Sequence, residues 1–455
     1  MSVTLVAWCA ILLVLVAMSL GRPSYAIGVY MLTYFAHPLF WWWGDPIEGY
    51  RWNFYAGLLL IGTLLVSQRR EATKQESPLS TNAVRILVLM AANIMLVHFL
   101  FAVNPEASFG WLTNRLKFIL LFFLMQYAIR DEKDYTIVAM SIALGMGYIG
   151  FEATINERGS FSGGRLEGIG AAGVTSSNQL ASLLITGLPL ATTVLFTAVS
   201  RWTKGVAILC CALAFNVVLM CNSRGAFLGV LATGVVFLFM ASGPARKHSN
   251  RLAALALVGT FMLLGDPAIL ERFMTTFSSQ AQQDRSAQSR IVFWTAASGM
   301  VRDYPLGSGG NSFSEGRGWA YMPNARTIAS DTRAIHNGFL TEATDWGLQG
   351  FLLMMLFLWA VWRTCLRGRR LARSEGNANA MMAFACIAGG LLAWMVSSVF
   401  GDYLDQEWGF WLAAMSYSYL RVHGVVAERE QALPADTFQA SRAAQAPPLW
   451  PRGAV

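Results

Sequence analysis

The stretch VTLVAWCAILLVLVAMSL, Val3 to Leu20, decides the fold. It carries no charged side chain, and a run of about 17–25 such residues is what crosses a bilayer as a helix. It has no basic leader and no small-residue cleavage site of the AxA kind, so it reads as a retained span and not as a signal peptide. Runs of the same character recur near 3–20, 24–43, 52–68, 84–103, 112–129, 135–153, 177–199, 205–221, 225–241, 252–265, 337–362, 380–399 and 407–422. The second contains Pro38 and reads as a bent or partial span; the tenth and the last are short. Composition agrees: 55% of the 455 residues are hydrophobic and 13% are charged, against about 25% charged in a soluble domain. The runs are continuous and do not alternate with period two, which argues against a barrel. The expected fold is an all-α polytopic membrane protein, a bundle of 12–13 transmembrane helices with a helical segment outside the membrane.

The six cysteines lie in or beside apolar segments without a CxxC pair, which favours small core residues over disulfides or a metal site. The net charge of +8 is spread over short loops and does not point to nucleic acid. SQRREATK (67–74), SRWTK (200–204), GPARKHSNR (243–251) and RTCLRGRRLAR (363–373) are the basic loops, and alternation of the spans puts all four on one side. That side is expected to be the cytoplasm. The opposite side receives 44–51, 104–111, 154–176, 222–224, 400–406 and the long segment 266–336. Residues from about 424 to 455 are rich in Ala, Pro and charge and read as a disordered cytoplasmic tail.

The segment 266–336 is too long and polar for a simple connector. Ile291, Trp294, Ala297 and Val301 recur at close to helical spacing and predict an amphipathic helix on the outer face, ended by Pro305 and the glycine-rich PLGSGGNSF. Seven of the chain's 29 arginines fall in this segment and none of its 5 lysines. An arginine fork grips phosphate bidentately, although the chain prefers arginine throughout. Arg224 sits in a very short outer turn, where a cation opposes the positive-inside tendency. It either snorkels to lipid phosphates or lies under an anionic substrate. Of five histidines only His336 belongs to an outer loop and abuts a span, a position suited to proton transfer at neutral pH. Asn337 is placed to cap the following helix. Glu342 and Asp345 fall two to three turns into that span, where carboxylates face a cavity or pair with a cation. No DxD, HExxH, Cys/His cluster or glycine-rich phosphate loop occurs, so no metal site or cofactor is expected and phosphate chemistry would rest on arginines.

Three stretches in order carry a resemblance: NSRGAF (222–227), SRIVFWTAASGMVRDYPLGSGGNSF (289–313) and HNGFLTEATDWGLQGF (336–351). Over about 205–360 the chain resembles the O-antigen ligase/polymerase superfamily of bacterial inner-membrane glycosyltransferases. YFAHPLFWWWGDP (34–46) is also similar to O-glycosylation ligases found beside exopolysaccharide and sorting genes. The resemblance implies a ligase core at 205–362, between N-terminal helices (1–204) and C-terminal helices (363–423). It implies metal-independent, inverting transfer of a glycan from undecaprenyl pyrophosphate to lipid A–core, in lipopolysaccharide biosynthesis. The site would face the periplasm, within an inner membrane whose lipids surround the bundle. It assigns His336 as general base and Arg224 and Arg290 to the pyrophosphate, with Asn337, Arg333 and Glu342 in support. The acceptor stays open: an O-antigen or exopolysaccharide polymerase, or a protein O-oligosaccharyltransferase, would use the same residues. A transporter of lipid-linked glycan is the alternative of another class, but paired halves with midplane charges are not evident.

Overall fold

The computed structural model describes residues 2–70, 81–240, 243–264, 285–322 and 334–432. Its helices are α1 (Val3–Ser19), α2 (Ser24–Phe35), α3 (Trp52–Arg70), α4 (Thr81–Phe101), α5 (Pro105–Ala128), α6 (Glu132–Thr154), α7 (Ser177–Thr192) and the single turn α8 (Val194–Thr197). They continue with α9 (Arg201–Cys221), α10 (Arg224–Met240), α11 (Arg246–Leu264), α12 (Arg285–Asp303), α13 (Gly338–Ser374), α14 (Ala378–Ser398) and α15 (Glu407–Ala432). Among the described residues seven helices are long and apolar enough to cross a membrane, and α1, α3 and α10 are shorter apolar helices. The chain is an all-α polytopic membrane protein. Its innermost helices are α7, with α8, and α14, whose most apolar windows are 78% and 83% buried against 28% for α4. Small residues allow that packing: the Gly409 Cα lies so close to the Trp394 ring that a Cβ would stand 2.1 Å from it. Interhelical polar contacts such as Ser182 to Ser397, 2.8 Å, add to it.

Four details depart from the sequence reading. The second apolar run is not a span of 24–43: α2 stops at Phe35 after 12 residues, too short to cross. Pro38 disfavours helix in the residue before it and opens a 3₁₀ turn. The expected single span 337–362 is broken at Gly347, whose φ of 80° and ψ of 173° are not helical. The outer loop 154–176 contains a β-hairpin, β1 (Ser160–Ser162) paired antiparallel with β2 (Arg165–Glu167). Finally α15 runs on to Ala432, beyond the expected start of the tail, and residues 433–455 lie outside the described ones.

The helix expected in the long outer segment is α12, and its buried face overlaps the expected stripe at Ala297 and partly at Trp294 but is turned away from Ile291. Phe293, Ala296, Ala297 and Met300 pack with Phe313, Met322 and Ile335, whereas Ile291 is 50% exposed. Spacing alone could not separate two overlapping stripes. The partner decides: the helix packs on its own loop and on the entry to α13, to which Trp294 Nε1 is joined by donating to the Ile335 carbonyl at 3.2 Å.

The break in α13 is filled by the glycine-rich turn that follows α12. Asp345 C=O accepts from the amides of Ser308 (3.2 Å) and Gly309 (3.0 Å), and Leu348 N donates to Pro305 C=O at 2.9 Å. Asn93 Nδ2 and Gln349 Nε2 donate to Trp346 C=O, at 3.0 and 3.2 Å. Backbone groups freed inside a membrane bundle must find such partners. A Cβ on Gly347 would stand 2.4 Å from the Leu306 carbonyl carbon, so both the positive φ and the close approach call for glycine here.

Candidate functional site

Six chain segments meet at one end of the bundle. Basic residues Arg201, Lys204, Arg246, Lys247 and Arg363 lie toward the opposite ends of the helices that enter it. The first segment is the turn between α9 and α10. Asn222 closes α9 in the left-handed region at φ 46°. Such a residue is tolerated because a short amide side chain fits there. Arg224 then opens α10. A helix N-terminus already favours anions through its unpaired amides and dipole.

Arg224 lines a narrow cleft with Ser223 and with Arg290 of α12. The two arginines that the sequence nominated for phosphate, 66 residues apart (290 − 224), therefore converge. The cleft is completed by Arg165 from β2, Asn178 from the start of α7, and Phe400 and Tyr403 from the loop between α14 and α15. Burial raises the Tyr403 phenol above the usual tyrosine range; Asp402 adds to this, while Arg290 and Arg165 oppose it. The phenol thus stays a neutral hydroxyl beside the guanidinium groups. Arg302 and Arg317 of the outer segment are exposed and do not line the cleft. Arg333 lies outside the described residues.

His336 stands at the mouth of α13, half-buried, with φ 57°. A non-glycine residue held in that region costs about 1–3 kcal/mol and persists only where its surroundings impose it. The Asp402 carboxylate imposes it: Oδ2 accepts from His336 N at 3.2 Å, and Oδ1 from Asn337 N at 3.1 Å. Oδ1 also accepts from Thr341 Oγ1 at 2.5 Å. Asn337 is the N-cap, its Oδ1 accepting from Phe339 N (3.1 Å) and Leu340 N (3.2 Å). The loop 400–406 therefore does two jobs: Phe400 and Tyr403 wall the arginine cleft while Asp402, between them, holds the histidine.

Glu342 and Asp345 face away from this cleft. Arg115 of α5 donates to both Glu342 oxygens, at 3.3 and 2.8 Å, and also to Asp405. All three side chains are at most 5% exposed. Asp345 instead accepts from Asn311 N at 2.9 Å and from Ser312 Oγ at 3.1 Å, which ties the glycine-rich turn to the short helix 338–346. Both acids hold the platform under His336 and do not line the cleft.

Reading the chain in sequence missed Arg165, Arg115, Asp402 and Tyr403. Each had a weak signal. The Gly-Gly of SFSGGRLEG marks a two-residue hairpin turn that would project Arg165. An arginine within WLTNRLKFILLFF demands a buried partner. The loop GDYLDQE places acids at the surface where the arginines were expected.

The family model for O-antigen ligase matches residues 209–355. That span contains the α9–α10 turn, α12, the glycine-rich turn and the His336–Gly350 stretch; Arg115, Arg165, Asp402 and Tyr403 lie outside it. No curated protein matches the chain. The stretches 222–227, 289–313 and 336–351 all fall within the matched residues, and over that part, about a third of its length, the chain is similar to the O-antigen ligase family.

Proposed function

We propose that this protein is an O-antigen ligase that transfers a glycan from undecaprenyl pyrophosphate to lipid A–core on the periplasmic face of the bacterial inner membrane. One observation carries the reading: Arg224 and Arg290 line a cleft whose wall, the loop 400–406, also holds His336 through Asp402. A phosphate-binding group and a candidate base are thereby linked through a single short loop.

The chemistry follows from the parts. Arg224 and Arg290 bind the diphosphate of the donor, helped by the N-terminus of α10. The sugar C1–O bond to diphosphate breaks as the acceptor hydroxyl attacks C1 from the opposite face, so the anomeric centre inverts. The electron pair stays on the diphosphate oxygen, and the arginines stabilise it in a site shielded from water. His336 takes the acceptor proton, a contribution of about 10²–10⁴-fold for a positioned base. Inversion in one displacement needs no second carboxylate as nucleophile.

The test is transfer in vitro. Purified protein is given undecaprenyl-pyrophosphate-linked O-antigen and rough lipopolysaccharide, beside His336→Ala and Arg224→Ala. Glycan on lipid A–core with wild type, lost in both variants, supports the reading. Longer donor-linked chains would make the protein a polymerase, and glycosylated serine or threonine a protein oligosaccharyltransferase. Full activity in His336→Ala would remove the histidine from the mechanism.

A further inference from the structure

We infer that Arg165 is a third arm of the diphosphate clamp, reserved for the charge that appears as the glycosyl bond breaks, and that the 160–167 hairpin exists to present it. This rests on the glycosyl transfer proposed above.

The hairpin is built to hold one side chain still. Gly163 and Gly164, at φ 56° and 72°, make the tight reversal. On one side of Arg165 the Gly164 carbonyl accepts from Asn222 Nδ2 at 3.4 Å. On the other side Glu167 accepts from Ser177 Oγ at 2.7 Å and from Ser177 N at 3.3 Å. Leu166 between them is 2% exposed and anchors the strand in the core. The two pins attach Arg165 to the α9–α10 turn and to the start of α7, which contribute Arg224 and Asn178 to the same cleft. A loop that only connected α6 to α7 would not need to be fastened on both sides of one half-buried arginine.

Charge accounts for a third cation. The donor is a diester of diphosphate and carries two negative charges. Cleavage of its C1–O bond leaves the electron pair on the terminal phosphate. With that phosphate's second ionisation near pH 6, the leaving polyprenyl diphosphate carries about three charges at neutral pH. The acceptor's proton has gone to His336, so the anion is not neutralised by it. Arg224 and Arg290 match the donor, and Arg165 matches the additional charge. An interaction stronger after bond cleavage than before it raises turnover and not merely affinity.

The experiment uses full-length protein in detergent and two short-chain probes. Geranyl diphosphate mimics the leaving group, and a geranyl diphosphate sugar diester mimics the donor. Arg165→Gln is expected to weaken geranyl diphosphate by at least ~10-fold while leaving the diester within about threefold, and to lower kcat with donor KM nearly unchanged. Arg165→Lys should restore part of both. Asn222→Gly keeps the left-handed turn but removes the pin on Gly164, and should show the same selective loss to a smaller degree. Equal weakening of both probes, or of neither, would overturn the assignment, as would an unchanged Asn222→Gly. If wild type binds neither probe, it is the glycosyl-transfer reading itself that fails.

Discussion

Removing the Asp402 carboxylate tests whether the histidine must be held in place. In Asp402→Ala the amides of His336 and Asn337 and the Thr341 hydroxyl lose an acceptor that now lies at 3.2, 3.1 and 2.5 Å. Hydrogen bonds to a charged group contribute about 1.5–3 kcal/mol each when buried. These are only partly buried, so water replaces some of that. What water does not replace is the restraint on His336 at φ 57°. Without it the side chain should relax toward ordinary backbone angles, releasing roughly 1–3 kcal/mol of strain. The conformer that presents the imidazole is then disfavoured by the same amount, which converts to about 5–150-fold in kcat. Asp402→Asn keeps one acceptor oxygen and should fall between. Donor KM should move by less than about twofold, because Arg224 and Arg290 are held by other segments. Steady-state transfer with saturating acceptor measures both constants. Wild-type kcat in Asp402→Ala would refute the positioning argument, and a large rise in donor KM with unchanged kcat would relocate Asp402 to the diphosphate site.

Three further outcomes are expected. Arg115→Ala strands Glu342 and Asp405 in the bundle and should cost about 3–5 kcal/mol, seen as a large fall in detergent thermal stability; the triple replacement Arg115→Met, Glu342→Gln, Asp405→Asn should recover most of it, and a triple variant no better than the single would contradict the charge argument. Gly347→Ala should lower the thermal midpoint and detach the glycine-rich turn, since its Cβ would stand 2.4 Å from the Leu306 carbonyl carbon; unchanged protection of the 305–312 amides in hydrogen exchange would contradict this. Transfer should survive EDTA, because its charge stabilisation is assigned to arginines; a strict need for a divalent ion would defeat that assignment.

The position of the acids shows why legibility stops where it does. Glu342 and Asp345 looked equivalent in the sequence, two carboxylates in one apolar run. The structure separates them: Glu342 meets Arg115, 227 positions away, while Asp345 meets the amide of Asn311 and the hydroxyl of Ser312. Likewise Ile291, Trp294, Ala297 and Val301 gave the helix its place but only part of its buried face, because both overlapping stripes obey helical spacing and only the docked partner chooses.

The sequence by itself determined the solvent of this protein and the elements that solvent permits. Uncharged runs long enough for a bilayer must be helices, since lipid offers their backbone no partner. Short basic loops likewise order their ends, and three short stretches were enough to suggest the family. Tertiary structure alone decided that Arg165, Arg224 and Arg290 share a cleft, that Asp402 holds His336, and that the helix beneath it breaks at Gly347. The reason is physical: an apolar run records how each residue fares against lipid, a local property. A binding site records which distant side chains packing brings within a few ångströms, and many arrangements of the same helices satisfy the first condition without the second.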